Sequence, residues 1–136
     1  MKKKDFSVLL LFVFVSIAHS APSHASECDI DRGPCTAIAG RTEVTLDITP
    51  QPVKAMKELF FRVTVKGSQI KAPLLLKLSM PGMYMVRNEV VLKKMPDGSF
   101  SGRGIIPRCP SGKKLWQADI AIPSDGRVSY RFYVDH

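Results

Sequence analysis

The chain has 136 residues, with 20 Lys and Arg against 12 Asp and Glu and a formal net charge of +8. That length suits one ordinary domain and excludes a large multidomain enzyme or a polytopic membrane protein. Part of the charge belongs to the first 25 residues, where Lys2, Lys3 and Lys4 precede an apolar run of 13 residues at 6–18.

That run is shorter than the roughly 20 residues needed to cross a bilayer. With the basic start and the small residues Ser23 and Ala25 either side of His24, it forms the three-part pattern of a secretory signal peptide. Cleavage after Ala25 is expected to leave 111 residues carrying a net charge of +6. The expected destination is the periplasm or the outside of the cell, with no transmembrane segment after signal removal. The remaining positive charge is dispersed, and Lys93-Lys94 and Lys113-Lys114 are its Lys pairs. Nucleic-acid binding calls for a focused basic stripe, so no nucleic-acid partner is expected.

Residues 26–40, with Cys28 and Cys35, read as an irregular segment lying across one edge of the domain. Residues 43–49 then alternate Val44, Leu46 and Ile48 with Glu43, Thr45 and Asp47, the pattern of a half-buried strand. Pro50 and Pro52 end it, and 53–58 reads as a turn of helix or a loop. Residues 59–66 put Phe61, Val63 and Val65 on one face. Residues 73–80 turn Leu74, Leu76, Leu78 and Met80 inward, up to the breaker Pro81-Gly82. Strands at 88–95 and 99–108 flank Pro96-Asp97-Gly98, a hairpin turn. Residues 115–122 carry Trp116, Ala118, Ile120 and Ile122 on one face, and 127–135 alternate through Val128, Tyr130, Phe132 and Val134. Short alternating strands at this spacing, with no long amphipathic helix, predict an all-β fold, an immunoglobulin-like antiparallel β-sandwich of about seven strands over 41–136.

Three cysteines, Cys28, Cys35 and Cys109, predict one bridge and one thiol in an oxidising space. Cys35–Cys109 is the expected pair because the longer loop constrains the unfolded chain more, with Cys28 as the alternative partner. Glu27 before Cys28 does not fit a lipid-attachment motif. Nucleophilic catalysis needs a positioned base. His19 and His24 lie in the signal and His136 is the last residue, so no enzyme is expected.

The segment Met80-Pro81-Gly82-Met83-Tyr84-Met85 places three thioethers around a forced turn. Thioether sulfur is soft and suits Cu(I) over harder cations. Met80, Met83 and Met85 are therefore candidate Cu(I) ligands, with Cys109 or His136 as the further donor. The same methionines also fit as flexible packing at the end of the core, and both readings stand at this level.

Together with Asp97-Gly98-Ser99-Phe100-Ser101-Gly102, Ser111-Gly112 and Trp116, this turn resembles the YtkA-like/FixH-like group of exported bacterial domains over about residues 42–135. The resemblance implies an immunoglobulin-like sandwich at the periplasm or outer cell face, in a setting of copper handling or oxidase assembly. Two positions depart from it: Val86 stands where relatives often have Gly, and the domain has no internal His to complete a copper site. Gly98 reads as the positive-φ residue of a tight hairpin, and Trp116 as a core anchor. The expected function is a non-catalytic accessory or binding domain that holds Cu(I) at the Met-rich turn and meets copper-handling machinery. The alternative is an envelope protein–protein interaction module with no metal, using its edge strands or the 28–40 segment.

Overall fold

Successive side chains of a strand point to opposite faces, so an alternating run buries one face and solvates the other. The computed structural model describes residues 25–136 and arranges them as follows. β1 (Ser26–Glu27) and a 3-10 turn (Ile30–Arg32) lead to β2 (Cys35–Ala39), β3 (Thr42–Thr49) and β4 (Glu58–Lys66). Then come β5 (Leu74–Ser79), β6 (Asn88–Lys94), β7 (Phe100–Ile105), β8 (Leu115–Ile122) and β9 (Gly126–Tyr133). The expected signal segment lies outside the described residues except for Ala25. Among the described residues no helix is long and apolar enough to cross a membrane.

The fold is all-β, and the expected strands correspond to β3 through β9. Two features correct the sequence reading. The segment expected to be irregular contains β2, which pairs with β3 from Cys35↔Leu46 to Ala39↔Thr42. Cys35, Ala37 and Ala39 of β2 turn to the core while Thr36 and Ile38 face outward, and with small Ala inside and apolar Ile38 outside, this edge strand carries no apolar–polar alternation in its sequence. The hydrogen bonding also runs through one sheet of nine strands, in the order β1-β9-β8-β5-β6-β7-β4-β3-β2, where two sheets were expected.

β6 makes the sheet continuous. Its residues Asn88 to Leu92 pair with β5, and Lys93 and Lys94 pair with β7. It comes down on β7 where Gly102 and Gly104 present no side chain. A Cβ on Gly102 would lie 2.5 Å from the Val91 carbonyl oxygen, and one on Gly104 would lie 2.6 Å from Val90 Cγ2.

The sheet then rolls until β2 lies alongside β9, with no ladder between them. Polar contacts tie the two ends instead: Tyr130 Oη donates to the Val44 carbonyl at 2.6 Å, and Thr42 Oγ1 donates to the Asp125 carboxylate. Leu46, Ile48, Phe61, Leu76, Trp116 and Phe132 fill the interior, all fully buried. Each large apolar side chain so placed contributes about 1.5–3 kcal/mol.

Gly102→Ala should push β6 off β7 and lower stability by about 1–3 kcal/mol, as overpacking against a fixed backbone does; thermal unfolding followed by circular dichroism measures it. Burial also pushes the Tyr130 phenol above its ordinary pKa. In the unfolded chain that phenol ionises near pH 10, so its stabilising share is intact below about pH 10 and is lost as pH rises beyond it. Tyr130→Phe should cost about 1–3 kcal/mol at neutral pH by stranding the Val44 carbonyl, and should flatten the alkaline loss. Urea unfolding at neutral pH and above pH 10 reads both effects.

Candidate functional site

The ladder of β6 with β7 covers only Lys93 and Lys94. At the other end of β6 a side-chain bond joins the strands, Asn88 Nδ2 to the Ile105 carbonyl at 3.4 Å. The connections following β5 and β7 line a cleft of about 600 Å³ at this end. Met56, Met80, Met83, Met85, Cys109 and Trp116 all line it.

Each of these side chains has a local reason for its position. Met80 continues the inward face of β5 and is 3% exposed. The chain then reverses through Pro81-Gly82, with the Met83 N–H donating to the Met80 carbonyl at 3.1 Å and Gly82 at φ 75°. Pro at the second position and a positive-φ residue at the third define this turn, which holds its end residues within about 7 Å of each other. Beyond the turn the chain alternates again. Met83 and Met85 pack against the core, while Tyr84 and Val86 point outward.

Cys109 opens a second turn, closed by the Gly112 N–H to its carbonyl at 3.0 Å. Its Sγ lies 2.9 Å from Ser111 Oγ. The Ser111 hydroxyl, and then the Ser111 backbone N–H, hold the thiol below its ordinary pKa; partial desolvation opposes them, and the nearby Lys113 adds a smaller lowering. The thiolate is the form of a cysteine that ligates metals.

Trp116, near the start of β8 and opposite Phe132 on β9, is fully buried at the inner end of the cleft. Its indole N–H has no hydrogen-bond partner, whereas a buried Trp N–H usually has one.

Met80, Met83 and Met85 therefore share one cleft, and Cys109, the expected further donor, lines it with them. His136 is exposed and does not line it. The expected Cys35–Cys109 bridge is corrected: the disulfide is Cys28–Cys35, with Cα atoms 6.0 Å apart, and Cys109 is the buried free thiol. Loop entropy favours a long closure only if the sulfurs meet. Here Cys28 is tied to β9 through its N–H to the Arg131 carbonyl at 3.0 Å. The 3-10 turn then returns the chain to Cys35, while Cys109 is held in the other connection.

Two lining residues were not identified from the sequence. Trp116 was read as a core anchor, and it is also a wall of the cleft. Met56 had no signal at all, because a lone methionine in a stretch read as a turn or loop carries none.

The lining holds thioethers, a thiol and an indole, with no carboxylate and no imidazole. Among the described residues, no three His, Cys, Asp or Glu side chains gather where a cation could sit. Hard cations and zinc need such groups, whereas this cleft offers soft sulfur. Arg87, ion-paired to Glu89 at 3.1 Å, and Arg108 also line it.

Ser111→Ala should move Cys109 ionisation to higher pH, read as thiolate absorbance in the ultraviolet with the Cys28–Cys35 bridge intact; an unmoved titration would remove Ser111 as the cause. Among known proteins, no family model, no curated protein and no solved structure matches this chain, so the chemistry of the cleft is read from its own side chains.

Proposed function

We propose that this protein is an exported, non-catalytic Cu(I)-binding domain of the cell envelope, holding the ion with Met80, Met83, Met85 and the Cys109 thiolate. The observation that carries the reading is the convergence of these four sulfur side chains, from two separate connections, on one cleft. Thioethers bring no charge, so a single thiolate balances the charge of one Cu(I). Cys109, with its lowered pKa, supplies that thiolate. The Cys28–Cys35 bridge occupies the other two cysteines and leaves this one for the metal. The ion is cargo for copper-handling machinery, and the cleft carries no acid–base pair that would turn over a substrate.

Kinship with the YtkA-like/FixH-like group belongs to the same proposal. Its support is the Met80–Met85 segment at the cleft, the Asp97-Gly98 hairpin, and Trp116 near the start of β8. An immunoglobulin-like arrangement is compatible with a sheet that turns back on itself at a strand shared by both halves. The alternative, an envelope interaction module, is supported by Ile38, which is 71% exposed on edge strand β2.

Titration of the mature domain with Cu(I) under anaerobic conditions should saturate at one ion and quench the emission of Trp116, the single tryptophan. Free Cu(I) at about 100 times Kd adds about 2.7 kcal/mol, a rise in Tm on the order of 10 °C for a domain of this size. Changing Met80, Met83 and Met85 together to Leu, which conserves volume, should abolish the quench and the Tm shift while preserving the unliganded fold. A wild-type protein whose Tm and emission ignore Cu(I) would end the copper reading. A stable envelope partner retained equally by wild type and triple variant would then favour the interaction module.

A further inference from the structure

We infer that Met56 is the outer thioether of this cleft, the donor through which Cu(I) enters and leaves, and that the fold holds its backbone in a strained conformation to keep it there. The inference rests on the Cu(I) reading above.

Met56 lies at φ 61°, in the left-handed region that L residues other than Asn and Asp rarely occupy. The other non-glycine residue with positive φ is Ser124, which sits in the β8–β9 turn where a short polar side chain suits that geometry. Met56 also lies in a turn, with Ala55, but as a long apolar residue where Gly or Asn is the usual choice. Its backbone is pinned from two sides. The Met56 N–H donates to the Ile106 carbonyl at 2.8 Å, beyond the end of β7. The Ala55 N–H donates to the Asp135 carbonyl at 2.7 Å, and the Asp135 N–H to the Val53 carbonyl at 2.9 Å, at the end of β9. Val53 and Ala55 are buried as anchors on the same stretch.

The product of this pinning is a large apolar side chain, 60% exposed, at the wall of a cleft whose other methionines are buried or partly buried. Core packing does not account for it, and the turn at Ala55-Met56 would be served with less strain by Gly or Asn. Backbone strain that persists in a folded protein concentrates where function needs a side chain in one place.

An exposed thioether on the wall of a cleft whose other four sulfurs are buried or partly buried does little for equilibrium affinity. It does offer a stepping stone. Exchange of Cu(I) between sulfur sites proceeds by adding one donor before another departs. Here the Met56 sulfur forms a bond to Cu(I) as an inner sulfur releases its own, with no change of oxidation state and no proton moved. Met56 therefore governs the rate of exchange in both directions.

The test uses the full mature chain with its disulfide intact, loaded with one Cu(I) and mixed with bathocuproine disulfonate in stopped flow. Chelate absorbance and recovery of Trp116 emission give the rate, and chelator competition at equilibrium gives the affinity. M56L keeps the side-chain volume and the backbone strain but removes the sulfur. It should slow transfer about tenfold, the effect of weakening one interaction in the exchange transition state, while changing Kd less than about threefold. M56G removes strain and sulfur together, so it should raise the Tm of the metal-free protein and slow transfer equally.

Transfer at the wild-type rate in M56L would overturn the inference. If the Met80, Met83 and Met85 triple variant still lost binding, that result would leave the copper reading standing. Loss of binding in M56L would overturn the inference differently, by making Met56 a principal ligand. A wild-type protein that binds no Cu(I) would remove both readings.

Discussion

The close approach of β6 to β7 governs the rest of the architecture. Gly102 and Gly104 leave bare backbone where the Val91 carbonyl and the Val90 side chain come down, and any larger residue would hold the strands apart. This contact lets β6 leave β5 as a partner and take up β7 within seven residues. One hydrogen-bonded sheet then folds over its own core. At the Asn88 end of β6 the connections that follow β5 and β7 line the cleft.

On the far side β9 and β2 share no ladder. Tyr130 to Val44 and Thr42 to Asp125 tie β9 and its preceding turn to β3, and the Cys28–Cys35 disulfide joins the segment held on β9 to β2. Buried hydrogen bonds contribute modestly when made and cost more when one partner is lost. They favour a single register at the seam over slipped ones. The consequence reaches the cleft through the end of β9, where Asp135 bonds to Val53 and Ala55 and so positions the strained residue beside them.

Although its donors lie outside regular strands, the cleft is well supported. One hydrogen-bonded turn links Met80 to Met83, a second begins at Cys109, and Trp116 belongs to β8. Sites held by tight turns and strand ends lose little conformational freedom on binding. Soft, uncharged sulfur with a single ionisable thiol suits a monovalent soft cation, and the cleft contains no acid or imidazole to recruit a harder one.

The sequence by itself determined most of the strands, because period-two alternation is local and survives any arrangement of sheets. It also marked Met80, Met83 and Met85, since a Pro-Gly turn between thioethers is a local signal, and it offered Cys109 as a further donor. It did not reveal β2, whose inward residues Cys35, Ala37 and Ala39 are small and whose outward face carries the apolar Ile38. Only the tertiary structure decided that Cys28 pairs with Cys35, because disulfide pairing depends on which sulfurs the fold brings within reach. It likewise placed Cys109, and not His136, in the cleft with the methionines. Met56 and the unsatisfied Trp116 N–H became site features in the same way, through strands that meet across long stretches of chain. Local patterns specify which faces are apolar, while the meeting of distant segments depends on how β6 divides its pairing and how the sheet closes.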